Sequence, residues 1–298
     1  MWEKRAMMSS GTNSGKRFLI IGAGNLGTSL YRLLDHLYPG TVHLYGLLEK
    51  NQFQSKYLAE DDYSNFLTIE MVNNLQVIFL AVPDDSLKEA TRKLLLFKQQ
   101  GRIVLHSSGA LGSDELDHVR KRGAHCGSWH PMQSFPQKFL PPEHWRNIIF
   151  SFEGDEECRP FVEELTEKTD SKLLHLTVDQ KLALHIAGVF TANYTTALVN
   201  LAEGILINAG IKDIPKNKIL APLLKGVAEN LEKAPSDSIL SGPAKRGDIN
   251  VLRKHLQYLR LTQGPADTYL DMVKLLLKNP RFNIPNSAKI EEILTKFL

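Results

Sequence analysis

Three of the ten histidines in this chain stand where a proton could be moved. His106 and His130 each close a short apolar run, and His185 lies near the start of a long helical pattern. An imidazole titrates near neutrality, which suits a reaction that must handle one proton. Each histidine also has a plainer reading. His106 would bond Ser107 or a loop backbone, His130 would brace the segment after it, and His185 would pack half-buried. His130 is the first choice as proton donor because Pro131 restricts its loop, and His106 is the reserve. Asn193 follows His185 and Val189 at intervals of four, along one face of a regular helix. Its amide suits a carbonyl, carboxylate or carboxamide, or a bond within a domain interface. Ser107 and Ser108 offer hydroxyls but no base beside them, so neither reads as a nucleophile. Met132, in the segment after His130, joins the candidate pocket, as does Arg246, which could pair with an acidic group. Asp248 next to it reads as a helix N-cap. No close histidine or carboxylate pair has ligand spacing, so no metal is expected.

A second group of residues concerns phosphate. Gly22-Ala23-Gly24-Asn25-Leu26-Gly27 is a G-x-G-x-x-G turn between an apolar run and an amphipathic pattern. In that context the first glycine permits the turn, the second lets a pyrophosphate approach the backbone, and the third lets helix and strand pack closely. The helix start supplies unpaired N–H groups to the phosphates. A glycine-rich turn without a ligand is the bland alternative. Glu49 and Lys50 stand side by side where an adenosine ribose would be read. An acidic residue there favours NAD and a basic one accommodates NADP, so both nucleotides stay open. Ala81, Val82 and Pro83 end a third apolar run and would lie beside a nicotinamide ribose.

The elements that must position these residues alternate. Apolar runs at 17–21, 41–48, 75–82, 102–105, 124–129, 147–152 and 172–176 read as strands. Between them lie a helical pattern carrying Leu26, Leu30, Leu33, Leu34 and Leu37 on one side and stopped by Pro39-Gly40, and others at 87–97, 114–122 and 160–169. The nearly unbroken apolar stretch at 75–82 fits a strand buried on both faces. From residue 178 only helical periodicity remains, over 179–208, 216–233, 248–261, 266–278 and 288–297, punctuated by glycine and proline. The fold class expected is a doubly wound α/β domain over residues 16–176, followed by an all-α domain over 177–298, with 1–15 a disordered tail. At 298 residues two domains are expected, and 43% hydrophobic with 23% charged residues is ordinary for a globular chain. A net charge of +3 without a basic, aromatic-laced patch argues against nucleic acid. No apolar run is read as reaching the ~20 residues of a membrane span. Two cysteines without metal-like spacing point to a reducing, cytoplasmic setting. Lys4, Arg5, Lys16 and Arg17 leave a mitochondrial address open, against which Glu3 and the lack of a clear amphipathic pattern argue.

Three longer segments add a resemblance: HSSGAL at 106–111, GSWHPMQSF at 127–135 and SGPAKRGD at 241–248. With the glycine turn and the LAVPD run at 80–84, they resemble a two-domain family with a Rossmann-like domain and a helical domain of unknown function 2520. The resemblance covers about residues 17–277. The family looks like a relative of pyrroline-5-carboxylate reductase, deazaflavin-dependent NADP reductases and 6-phosphogluconate dehydrogenase. That kinship implies NADP over NAD and an oxidoreductase role but supplies no substrate; the leading reading is a reductase or dehydrogenase acting on a small carbonyl, hydroxyacid or imine. The kinship also implies a homodimer built through the helical domain. The lysine that such dehydrogenases carry four residues before the helix asparagine is Val189 here. That departure sustains the alternative of a nucleotide-binding sensor without turnover.

Overall fold

The computed structural model describes residues 15–47, 53–55 and 73–295, the second group by backbone alone. The chain divides into two compact units, Met1–Phe190 and Thr191–Leu298. The division falls beyond residue 177, where strand gives way to helix, so the first helix of the apolar helical run lies in the first unit.

The first unit is an eight-stranded sheet with helices between its strands. Its elements are β1 (Phe18–Ile21), α1 (Asn25–Leu37), β2 (Val42–Leu47), β3 (Phe53–Ser55), β4 (Val77–Leu80), α2 (Asp84–Leu94), β5 (Ile103–His106), α3 (Asp117–Arg120), β6 (His125–Pro131), β7 (Ile149–Gly154), α4 (Arg159–Glu167), β8 (Lys172–His175) and α5 (Val178–Gly188). The order across the sheet is β3-β2-β1-β4-β5-β6-β7-β8. Strands β2, β1, β4, β5 and β6 run parallel, while β3 is antiparallel to β2 and β7 antiparallel to β6. The short β3 has no counterpart among the strands expected from the sequence.

Alternate residues of each central strand enter different cores, so the sheet is covered on both faces. Phe18, Ile20, Val77 and Phe79 pack with Leu30, Leu33 and Leu34 of α1 and with Phe161, Val162 and Leu165 of α4. Leu19, Ile21, Ile78 and Leu80 pack with Leu87, Ala90 and Leu94 of α2. A strand buried on both sides has no polar position to spare, which explains runs such as FLII. The stretch expected as one helix over 114–122 is instead a 3-10 turn, Ser113–Leu116, leading into α3.

The second unit is helical: α6 (Thr195–Asn208), α7 (Lys216–Leu231), α8 (Ser236–Ile239), α9 (Pro243–Arg246), α10 (Ile249–Leu261), α11 (Ala266–Lys278) and α12 (Ser287–Thr295). Its core joins Leu252 and Leu256 of α10, Leu270 and Val273 of α11, and Ile290 and Leu294 of α12. Helices α6 and α7 contribute no buried residue. Leu223, Ile207 and Val227 are each more than half exposed. Residues Val178–Asn208 are helical throughout, with mean hydropathy 1.3, long and apolar enough by length and composition alone to cross a membrane. This corrects the expectation that no apolar run reaches such a length, because polar residues such as Asn193 and Thr195 break the run without lowering its average enough.

Candidate active site

The ends of β2, β1, β4 and β5 are tied in sequence along one sheet edge. The Gly22 N–H donates to the Tyr45 carbonyl at 2.7 Å, Ala81 N–H to Ile21 at 2.8 Å, and Ser107 N–H to Leu80 at 3.2 Å. Gly22, Ala81 and Ser107 therefore stand side by side at the carboxyl ends of parallel strands, where open α/β sheets take their ligands.

The three glycines of the turn are required for different reasons. Gly22 has φ +116°, and a Cβ there would lie 2.2 Å from the Ala81 carbonyl oxygen. A Cβ on Gly27 would lie 1.8 Å from the Gly22 carbonyl oxygen. The fold itself excludes side chains at both. Gly24 is exposed, has ordinary φ −78° and ψ −170°, and its Cβ would meet nothing within 4 Å. No contact within the chain asks for glycine there. Gly24 is also the N-cap of α1 and gives it no side-chain cap, so the first-turn amides face the open space beside it. Helix α5 shows the contrast: Thr177 and Gln180 close its start with a complete capping box. Buried Ser107 adds an orphan at the same edge, since its Oγ has no hydrogen-bond partner. An uncapped helix start over a bare Cα and an unpaired hydroxyl fit a dinucleotide laid along this edge.

The neighbours in the turn serve the fold. The Asn25 side-chain amide donates to the Phe135 carbonyl at 2.9 Å, and Leu26 packs on the core under α1. Thr28 and Ser29 accept from the Phe139 and Leu140 amides, both at 3.1 Å, and Arg32 donates to the Phe139 carbonyl at 2.7 Å. The first turns of α1 thus latch down the chain that follows HPMQSF. Ala81 and Val82 pack on opposite faces of the sheet, and Pro83 is the N-cap of α2. Glu49 and Lys50 lie outside the described residues.

The histidines divide into one structural ring and one facing pair. His106 is wholly buried. Its Nε2 lies 2.9 Å from the Gly112 carbonyl and its Nδ1 accepts from the Ser108 N–H at 3.2 Å. Burial, then the nearby Lys181 cation, push its pKa down to about 3. Both nitrogens are spent on the loop, so the reading of His106 as a loop-bonding residue prevails over a catalytic one. Ser108 is spent likewise. Its Oγ accepts from the Ala110 and Leu111 amides, and its carbonyl accepts from Ser128 and Lys181.

His130 keeps one nitrogen open. Its Nδ1 lies 2.9 Å from the Ser107 carbonyl, an atom that can only accept, so Nδ1 carries the proton and Nε2 the lone pair. Burial, then His185 and Lys181, hold its pKa down to about 4 against the raising effect of the Ser107 bond. The His185 ring stands edge-on to His130 at 5.5 Å between centroids. Both rings lie over Gly109, where a Cβ would come within 2.3 Å of His185 Nδ1 and 2.9 Å of His130 Nε2. Gly109 is thus a third glycine that the sheet edge requires, and it was not singled out from the sequence. Met132 meets α5, its Cε 2.9 Å from where a Cβ on Gly188 would be.

The residue that sequence reasoning missed is Lys181. It is 1% exposed, and its Nζ donates to the Ser108 carbonyl at 2.7 Å and to the Leu111 carbonyl. Burial lowers its pKa to about 8, opposed by Glu153 and Asp84. The signal was present: Lys181 and His185 are four apart on one helix, so one face carries both. A lysine in an apolar helix reads as a solvated charge unless the acceptors folded against it are known.

Asn193 and Arg246 belong to the second unit. Asn193 is exposed in a π-helical segment, Val189–Tyr194, so a count by fours from His185 assumes a regularity the helix lacks. Arg246 bonds Asp248 through Nε at 2.8 Å. Asp248 is the N-cap of α10 by position, but its side chain makes no cap bond. Among the described residues, no three histidines, cysteines or carboxylates converge as metal ligands.

A parallel sheet wound on both faces, with a glycine turn and a helix start at its switch point, defines a Rossmann-like protein. The Rossmann-like domain model matches residues 8–131, and the model of the domain of unknown function DUF2520 matches residues 148–275. The chain thus carries a Rossmann-like domain followed by a DUF2520 domain. No curated protein matches it. Among solved structures, a candidate NADP oxidoreductase from Bacteroides fragilis has TM-score 0.69 at 21% identity, covering 90% of this chain and all of that one. A protein from Thermotoga maritima has TM-score 0.60 at 26% identity, covering 88% and 97%. A reductive aminase from Aspergillus terreus, in complex with NADPH and ethyl levulinate, has TM-score 0.62 at 15% identity, covering 93% and 99%.

Proposed function

We propose that this chain is an NADP-dependent oxidoreductase that moves hydride to or from a small carbonyl, hydroxyacid or imine. The observation that carries the reading is Gly24. It is a glycine without an internal reason, set at an uncapped helix start on the ligand edge of a Rossmann sheet. The nicotinamide supplies the hydride chemistry when bound. The chain's residues do the rest. The α1 amides and Gly24 hold the pyrophosphate. Ala81 to Pro83 and the unpaired Ser107 hydroxyl flank the nicotinamide ribose. His130 and His185 face the reacting group over Gly109. The preference for NADP rests on the family resemblance and on Lys50, and the solved relative bound to NADPH is in line with it.

A homodimer through the helical unit belongs to the same reading. Helices α6 and α7 bury none of their residues, and a second copy of this apolar surface would cover them symmetrically. A cytoplasmic setting is part of the proposal. Calorimetric titration with NADPH and NADH tests the core of it. The expected result is micromolar or tighter binding of NADPH, with NADH weaker. Absence of binding by both nucleotides would overturn it, and tighter NADH would assign the ribose pocket to Glu49.

A further inference from the structure

His130 was the first choice for a proton donor, yet the hydrogen bonds around it run the other way. Its Nδ1–H is committed to the Ser107 carbonyl at 2.9 Å, leaving Nε2 as a bare lone pair on the side facing His185 and Gly109. The Ser107 carbonyl belongs to a loop whose next residues are fixed from both sides. His106 receives the Ser108 N–H and meets the Gly112 carbonyl, and Lys181 donates to the Ser108 and Leu111 carbonyls. The loop does not turn that carbonyl away without breaking these bonds, so the tautomer of His130 is built in.

On this basis, and resting on the oxidoreductase reading, we propose that His130 Nε2 accepts a hydrogen bond from the substrate's reacting heteroatom. The substrate must bring that hydrogen, as a hydroxyl or as the N–H of a protonated imine, and a neutral carbonyl is not the species recognised. For a hydroxyl, the carbon gives its hydride to oxidised nicotinamide, the O–H bond breaks, its proton passes to Nε2 and the C=O bond forms. For a protonated imine, the carbon receives hydride from reduced nicotinamide and the C=N π pair becomes the nitrogen lone pair. No proton then crosses from the protein.

The charges around His130 agree. The groups acting on it are His185, the Lys181 ammonium and the Asp84 carboxylate. The first two oppose a second proton on its ring, so protonating Nε2 works against its surroundings whether that proton is to be donated or has come from a hydroxyl, and the protonated-imine route, which moves no proton, fits them better.

Imidazole nitrogen NMR on the uniformly labelled protein at neutral pH tests the tautomer directly. The His130 signals are assigned by their loss in His130→Phe. The expected spectrum has protonated Nδ1 and bare Nε2. A proton on Nε2, with or without one on Nδ1, overturns the proposal whether or not nucleotide binds. The second arm uses matched ligands on nucleotide-loaded protein: a small alcohol against its methyl ether, and a secondary ammonium against its quaternary analogue. We expect the hydrogen-bearing member of at least one pair to bind about tenfold tighter or more, with the preference lost in His130→Phe. The alcohol pair and the ammonium pair tell which donor the site takes. Equal binding within both pairs, or a matching cyclic ketone bound as well as the donor, refutes it. Failure of nucleotide binding is seen separately and sinks the parent reading alone.

Discussion

Replacing the three turn glycines one at a time separates what the fold needs from what a ligand needs. At Gly22, a Cβ would overlap the Ala81 carbonyl at 2.2 Å, and φ +116° is unfavourable for any side chain. Forcing a methyl into packed backbone costs ~1–3 kcal/mol, and the strained φ adds ~1–3 kcal/mol. Gly22→Ala is therefore expected to lose ~2–6 kcal/mol, enough to unfold much of a marginally stable domain. At Gly27 the clash is with the Gly22 carbonyl at 1.8 Å, and only the overpacking cost applies. Gly24→Ala is different in kind. Nothing lies within 4 Å, and φ −78° with ψ −170° suits any residue. Alanine is the poorer N-cap by ~0.5–1 kcal/mol, but it narrows the unfolded ensemble by ~0.4–1 kcal/mol. The two offset, and stability should change by no more than about 0.5 kcal/mol. The added methyl meets the pyrophosphate instead, so NADPH affinity should fall about tenfold or more, roughly 1.4 kcal/mol, and Gly24→Val should abolish binding. Urea unfolding and calorimetry on the same samples read both quantities. A Gly24→Ala protein as unstable as Gly22→Ala, or one that binds NADPH undiminished, would refute the reasoning.

Two further outcomes are expected. Folded His106 and His130 titrate near pH 3 and 4, below the ~6.5 of an unfolded histidine. On acidification the unfolded chain takes up these protons first, so stability is full above pH 6.5 and falls from there to about pH 4 for His130 and about pH 3 for His106, by ~1.4 kcal/mol per pH unit per group. Urea unfolding across that range checks it, and a slope unchanged in His106→Gln would assign the effect elsewhere. Sedimentation at micromolar concentration should show a dimer, and Leu223→Glu with Val227→Glu, on the exposed face of α7, should shift it to monomer. A wild-type protein that stays monomeric would rule out the paired helical unit.

Much of the architecture was legible because its signals are local. Apolar runs on both-face-buried strands, the glycine turn, and proline and glycine stops all lie within a few residues of what they specify. Strand β3 was missed because three residues at a sheet edge carry no period. The π-helical Val189–Tyr194 was missed because a widened turn is decided by packing rather than by residue type. The neighbourhood of Gly22, Ala81 and Ser107 followed from the rule that parallel strands end on one edge.

What each side chain does at that edge was decided by tertiary structure alone. The sequence set His130 ahead of His106 only on the proline beside it, since both end strands. Folding puts the Gly112 carbonyl and the Ser108 amide against one ring, and a single carbonyl against the other. It also brings Lys181 to carbonyls about seventy residues away in sequence, and sets two imidazoles over Gly109. The physical reason is common to all of these. Residue type fixes which protons and lone pairs a side chain owns. Which of them remain free depends on acceptors and donors that only the folded chain brings within hydrogen-bonding distance.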